Sequence, residues 1–340
     1  MNSSRILLCP GQGAQALGMG KAWYDASPAA RQVFDEADSV LGNRLGAKLT
    51  DLCFNGPVEK LNQTDISQPA IYVASVASWH GMLEKAGLGE RSIETAGVMC
   101  VAGLSLGEYT ALHLAGAFSF RDGLELVTLR GRAMQDAADA VKNPDGTPGS
   151  GMVAIIGGDD GQAAQIAEKA RGDEVLVCAN FNAPGQVVLS GHRTACVRAG
   201  AVAEEMGLRG SQLAVAGAFH SPIMAPAAAR LKAALEKTAI GHLRATVVGN
   251  VTAKPHVEQL GLTIEKVIRQ RLVEQLTSPV RWADSCRWMA AGVWGSGTYV
   301  AGQSGGGAEY HELAPGTTLK GLMRRIDKAI KVTSHDSPND

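Results

Sequence analysis

The pentapeptide Gly103-Leu-Ser105-Leu-Gly107 constrains this chain more than any other feature, because of what flanks it. Ahead of it runs Thr95-Ala-Gly-Val-Met-Cys-Val-Ala102, a continuous apolar stretch of strand length, and Gly107–Ala117 behind it reads as a helix. A serine between a buried strand and a helix sits on a sharp turn that pushes its side chain out of the sheet. The glycines relieve crowding there, and the helix N-terminus aims free N–H groups at the same spot, where an oxyanion would form. Ser105 is therefore a candidate nucleophile; the bland alternative is a glycine-rich turn with an incidental serine. Alternating strand and helix patterns, 41 glycines and only 5% aromatic residues place the chain in the α/β class.

The rest of the chain follows that rhythm. Arg5–Pro10 reads as a buried strand ending in a glycine turn. Helices fit Ser27–Leu41, with Ser27 as N-cap and Pro28 at the first helical position, and also Gln68–Ala86 and Gly123–Ala140. Turn formers crowd Asn143–Gly151, and a different pattern follows. Strands are expected at Met152–Ile156, Glu174–Ala179, Gln186–Ser190 and Gln212–Val215, with helices at Asp160–Arg171 and Thr194–Met206. That βαββαβ order is ferredoxin-like. The expected organisation is a larger α/β domain over 1–144 and 214–330, a small inserted domain over 145–213, and a flexible polar tail over 331–340.

Charge narrows the function classes. Lys plus Arg is 32 and Asp plus Glu is 33, a net charge of −1, which argues against binding nucleic acid or a membrane surface by bulk electrostatics. No apolar run approaches the ~20 residues of a membrane span. Ile6–Cys9 is too short for a signal peptide and is cut off by Pro10-Gly11. The six cysteines show no C-x-x-C pair and no metal-type spacing, so they are expected to be reduced core residues with no metal site. A cytoplasmic protein is expected.

A serine nucleophile needs a base. Of the eight histidines, His220 lies in Ala218-Phe-His-Ser-Pro222, where proline disfavours a helical Ser221 and leaves a strand-end loop. Pattern alone leaves His220 either the base or an ordinary loop histidine. Gly11-Gln-Gly-Ala-Gln-Ala16 matches the dinucleotide fingerprint G-x-G-x-x-A, but that fold needs an acid after a second strand ~20 residues on. Asp35 and Glu36 fall inside a helical pattern instead, so the loop is read as a source of backbone N–H groups for an anion. By pattern, Arg130 is an exposed helix arginine like Arg132.

Six ordered motifs then resemble one family. They are Pro10-Gly-Gln-Gly-Ala-Gln15, Gly103-Leu-Ser-Leu-Gly-Glu-Tyr109, Leu129-Arg-Gly-Arg-Ala-Met134, Asn180-Phe-Asn-Ala-Pro-Gly-Gln186, Phe219-His-Ser221 and Gln275-Leu-Thr-Ser-Pro-Val-Arg-Trp282. Over about Ile6 to Ile326 the chain resembles the malonyl-CoA:acyl carrier protein transacylases, whose catalytic domain recurs in polyketide and fatty acid synthases. The resemblance implies an α/β-hydrolase-like large domain. It implies that Ser105 takes the acyl group, that His220 is its general base and then acid, and that the Gln275 main-chain carbonyl holds the imidazole. Backbone N–H groups of Gln12 and Leu106 would form the oxyanion hole, Arg130 would clamp the malonyl carboxylate, and Phe219 marks the form selecting malonyl over α-branched units. The substrates would be malonyl-CoA and phosphopantetheinylated acyl carrier protein, the latter also the partner, with no cofactor and a monomeric enzyme.

The sequence departs from the family at two places. Leu104 stands where many members carry histidine, and Gly295–Glu309 is longer and richer in glycine than the usual link, a surface loop by expectation. Lys320, Arg324, Arg325, Lys328 and Lys331 read either as a solvated helix face or as an attraction for an acidic carrier protein.

Overall fold

The computed structural model describes residues 4–89, 93–292 and 307–340. Its strands in chain order are β1 (Arg5–Cys9), β2 (Val98–Gly103), β3 (Ser150–Ile156), β4 (Leu176–Ala183), β5 (Gln186–His192), β6 (Arg209–Gln212), β7 (Thr246–Gly249), β8 (Lys254–Pro255), β9 (Glu309–Leu313) and β10 (Val332–His335). They form two sheets.

The larger sheet has the order β10-β9-β1-β2-β7-β8, parallel throughout except for β8. Successive side chains of a strand point to opposite faces, and both faces here are covered, so β1 is apolar without a break from Ile6 to Cys9. Leu7, Cys9 and Val101 face a cluster built on the helices Pro28–Leu41 and Thr64–Lys85. Ile6, Leu8, Cys100 and Ala102 face Trp282, Met289, Leu319 and Met323. The helix Thr64–Lys85 is buried along most of its length between its neighbours, which explains why its apolar residues make no single stripe.

The smaller sheet has the order β4-β5-β3-β6, antiparallel throughout, with the helices Asp160–Arg171 and Arg193–Glu205 packed on it. This is the ferredoxin-like arrangement expected from the pattern. The first of those helices starts at a capping box in which Asp159 and Gln162 satisfy each other's backbone N–H groups. β4 also grips the larger unit: Phe181 N–H donates to the Val280 carbonyl at 2.9 Å and Val280 N–H to that of Ala179 at 2.8 Å.

Two expectations are corrected. The last small-sheet strand is Arg209–Gln212, not Gln212–Val215. It is a polar edge strand, and the apolar residues after it face a cleft instead. Residues 331–340 are not a loose tail, since Val332–His335 pairs in parallel with β9 as the sheet's edge. Val332 and Ser334 turn inward, Ser334 Oγ donates to Glu312 at 3.1 Å, and Trp23 Nε1 donates to the His335 carbonyl at 2.9 Å. The glycine-rich stretch Gly295–Glu309 lies outside the described residues as far as 306; its last residue, Glu309, opens β9.

All six cysteines are unpaired, five buried and Cys178 half-buried. Among the described residues no helix is long and apolar enough to cross a membrane, and no three His, Cys, Asp or Glu side chains converge as a metal site.

Candidate active site

β2 ends at Gly103, the helix Gly107–Leu114 begins four residues later, and Ser105 between them has φ 52°. That left-handed conformation costs a non-glycine residue ~1–3 kcal/mol, so the surroundings must impose it. Packing does part of this. A Cβ on Gly103 would lie 1.9 Å from the carbonyl carbon of Gly107, and one on Gly107 would lie 2.1 Å from the Cys9 carbonyl oxygen. Only glycine fits at either position. Asn250, just beyond β7, does the rest: its Oδ1 accepts from Ser105 N–H at 2.6 Å and its Nδ2 donates to the Gly103 carbonyl at 2.7 Å. This buried side chain ties both sides of the turn.

His220 occupies a second left-handed position, φ 56°. Its loop is pinned by hydroxyls: Ser190 Oγ of β5 donates to the Phe219 carbonyl at 2.6 Å, and Ser221 Oγ to the Ala218 carbonyl at 2.7 Å. The imidazole bridges two partners, with Nε2 2.8 Å from Ser105 Oγ and Nδ1 2.7 Å from the Gln275 carbonyl oxygen. A carbonyl only accepts, so Nδ1 carries the proton of the neutral ring and Nε2 offers a lone pair to the Ser105 hydroxyl. Burial, with help from the Arg130 charge, pushes His220 down to about 4, so the ring is neutral at pH 7.

Arg130 is not the exposed helix arginine its pattern implied. It is 1% exposed on the helix Phe120–Asp139. Its Nη1 donates to Gln68 Oε1 at 2.7 Å, and its Nη2 to Gln275 Oε1 at 3.0 Å and Ser105 Oγ at 3.1 Å. The guanidinium also lies over the Tyr109 ring, 5.3 Å from its centroid. Its Nε has no partner, and none of the ion pairs among the described residues includes it. Burial lowers its pKa, yet a guanidinium stays charged. The site thus holds a desolvated cation with neutral hydrogen-bond partners, beside a serine hydrogen-bonded to a neutral imidazole.

Ser105, His220, Phe219, Gln12 and Leu104 line a cleft of about 280 Å³ that runs between the two sheets. Its far wall comes from the smaller sheet, including Met152, Asn180, Asn182 and Val188, and from Leu213–Val215. Arg130 and Gln275 stand just behind the serine. Leu106 is fully buried at the N-terminus of the helix Gly107–Leu114. Among the described residues, neither its N–H nor that of Gln12 reaches a protein acceptor.

Sequence reasoning missed Gln68, Glu108, Asn250, His256 and the side chain of Gln275. Glu108 had one signal, an acid in the first turn of the helix after the serine. The others are single polar residues whose partners lie far away in the chain, and no local pattern marks them.

Residues 6–294 match the acyl transferase domain model. The malonyl CoA-acyl carrier protein transacylase of Bacillus subtilis (strain 168) is 37% identical over 99% of this chain and 94% of its own. The crystal structure of malonyl-CoA:acyl carrier protein transacylase from Xanthomonas oryzae pv. oryzae KACC10331 superposes with TM-score 0.83 at 36% identity, covering 99% of this chain and 96% of that one. A type II polyketide acyl-carrier protein in complex with its malonyl-transacylase gives TM-score 0.83 at 34% identity, over 99% and 97%. A matching domain model over most of the chain, relatives above one-third identity along nearly all of it, and a shared two-sheet fold agree: the chain belongs to the malonyl-CoA:acyl carrier protein transacylase family of acyl transferase domains.

Proposed function

We propose that this enzyme transfers a malonyl group from malonyl-CoA to the phosphopantetheine thiol of an acyl carrier protein, through a malonyl-Ser105 intermediate, supplying extender units for fatty acid or polyketide synthesis. His220 Nε2 takes the Ser105 proton as Oγ attacks the thioester carbonyl, and the Gln275 carbonyl stabilises the imidazolium that forms. The oxyanion sits against the free N–H groups of Gln12 and Leu106. Collapse expels CoA, whose sulfur takes the proton back from His220. The carrier thiol then gives its proton to His220 and attacks the Ser105 ester; as that ester bond breaks, His220 returns the proton to Ser105 Oγ and the carrier leaves with the malonyl group. Phe219 lines the same cleft beside His220 and is the residue taken to disfavour α-branched units.

The observation that carries this reading is Arg130: a fully buried guanidinium 3.1 Å from Ser105 Oγ, with neutral hydrogen-bond partners and an idle Nε–H. An acyl group ending in a carboxylate completes it, with a planar pair no acetyl group can make. The names of the relatives and the carrier-protein complex support the same substrates. The reading includes a catalytic unit over 1–144 and 214–330 with 145–213 inserted. It takes the enzyme to be monomeric, cytoplasmic and free of cofactors, with no nucleic-acid or membrane partner.

Competition among malonyl-, methylmalonyl- and acetyl-CoA tests it, with acyl transfer to a holo-carrier protein measured against release to water. Dominant malonyl transfer is expected. Equal use of acetyl-CoA would refute the substrate, and dominant release to water would make the enzyme a thioester hydrolase.

A further inference from the structure

Behind the Ser105–His220 pair lies a buried polar chain that the reaction as written does not use. Glu108, 1% exposed, extends its carboxylate toward three groups. Its Oε2 lies 2.6 Å from Gln275 Nε2 and accepts from Asn250 N–H at 3.1 Å, while Oε1 lies 2.8 Å from His256 Nε2. Gln275 Nε2 also reaches the Ser105 carbonyl oxygen at 3.0 Å, and Gln275 Oε1 accepts from Arg130 Nη2 at 3.0 Å.

Nitrogen and oxygen of an amide are easily exchanged in assignment, but here the neighbours decide. Arg130 can only donate, so the Gln275 atom facing it is the oxygen. The Ser105 carbonyl can only accept, so the atom facing it is the nitrogen. Glu108 Oε2 already accepts from a backbone N–H, so it too meets the nitrogen. One residue therefore serves both halves of the chemistry: the Gln275 main chain orients His220, and its side chain orients Arg130.

We propose that Glu108, anchored by His256, is a positioning residue for acyl-group selection: by holding the Gln275 amide in place it aims the Arg130 guanidinium at the malonyl carboxylate. This rests on the malonyl reading above. Without an acceptor at Glu108, the amide nitrogen loses its 2.6 Å partner and keeps only the Ser105 carbonyl at 3.0 Å and Asn250 Oδ1 at 3.4 Å. The amide then shifts toward those partners, and its Oε1 no longer holds the guanidinium on its aim. Attack by Ser105 does not need that aim, since the contact of Gln275 with His220 runs through the backbone.

The test measures Ser105 acylation by malonyl-CoA and by acetyl-CoA, using intact mass, in wild type, Glu108→Leu, Gln275→Leu and Glu108→Gln. Loss of one hydrogen bond to a charged group predicts a malonyl-to-acetyl rate ratio lowered about tenfold or more in Glu108→Leu and Gln275→Leu. Both substitutions also touch the Ser105 turn, through the Ser105 carbonyl or Asn250, so acetylation should fall too, but by a smaller factor than malonylation. Glu108→Gln keeps an acceptor for Gln275 and Asn250 and should retain the wild-type ratio. A merely structural role would lower both acylation rates together. If Glu108→Leu does not fold, Gln275→Leu decides. An unchanged ratio in Gln275→Leu, or in folded Glu108→Leu, overturns the proposal, as does a loss in Glu108→Gln equal to that in Glu108→Leu. A wild-type enzyme without malonyl preference would overturn the substrate reading itself, and the proposal with it.

Discussion

Replacing Arg130 with alanine separates binding of the carboxylate from chemistry at the serine. In the wild-type site two or three guanidinium N–H groups are available to a malonyl carboxylate: Nε–H, which is idle, and the Nη2 group now shared with Ser105 Oγ and Gln275. Each charge-assisted hydrogen bond in such a site is worth ~1.5–3 kcal/mol. Breaking a buried, hydrogen-bonded charge pair costs about 3–5 kcal/mol, or roughly 10²–10⁴ in malonyl kcat/KM. Acetyl-CoA loses only the Nη2 contact to Ser105 Oγ, and its methyl group no longer faces a buried charge, so its rate should change by less than about tenfold. The substitution also leaves Gln68 Oε1 and Gln275 Oε1 without that donor, at ~1–3 kcal/mol each, so circular dichroism and thermal unfolding must accompany the kinetics. Steady-state transfer to holo-carrier protein from each CoA ester gives the two numbers. Equal losses for malonyl and acetyl would refute the argument that the guanidinium reads the carboxylate.

Further outcomes follow from the same geometry. The base acts only when neutral, and His220 is pushed down to about 4, so the acid limb of kcat/KM should lie near pH 4 rather than near 6.5; an acid limb centred on 6.5 would contradict the burial of the ring. His113, His220 and His335 are all held near 4 in the folded chain. Between 6.5 and 4 the unfolded chain binds protons the folded one refuses, so stability is full above 6.5 and falls as the pH drops toward 4, which urea midpoints across that range would record. Gly107→Ala places a methyl 2.1 Å from the Cys9 carbonyl oxygen and should abolish acylation and soluble folding together; a folded, active variant would sink the account of the turn. Removing residues 332–340 strips the edge strand and the acceptor of Trp23 Nε1, and should lower the thermal midpoint without changing substrate preference.

Much of this was legible in the sequence wherever local pattern and local physics coincide. Ile6–Cys9 of β1 and Cys100–Gly103 of β2 are unbroken apolar runs because they are buried on both faces, and the two glycines around Ser105 announce a turn that nothing larger fits. Edge strands were less legible. β6 and β10 carry polar residues on half-exposed strands, so local pattern favours the more apolar Gln212–Val215 over Arg209–Gln212 and makes Val332–His335 look like a tail. The buried polar chain left almost no trace. Glu108 and His256 are 148 residues apart, and Gln275 and Ser105 are 170 apart. A polar side chain buried by such partners looks, in sequence, like one facing solvent. Arg130 shows the same blindness: its helix neighbour Arg132 is exposed and paired with Asp136, and only the fold turns Arg130 inward.

The central claim is that Ser105 carries a malonyl group which a carrier thiol, not water, removes. Enzyme mixed with malonyl-CoA and then with holo-carrier protein, followed by intact mass, tests it most directly. The account predicts one malonyl adduct, absent from Ser105→Ala, that disappears from the enzyme as it appears on the carrier. No adduct, an adduct that persists in Ser105→Ala, or an adduct lost to water as fast without carrier as with it would contradict the account.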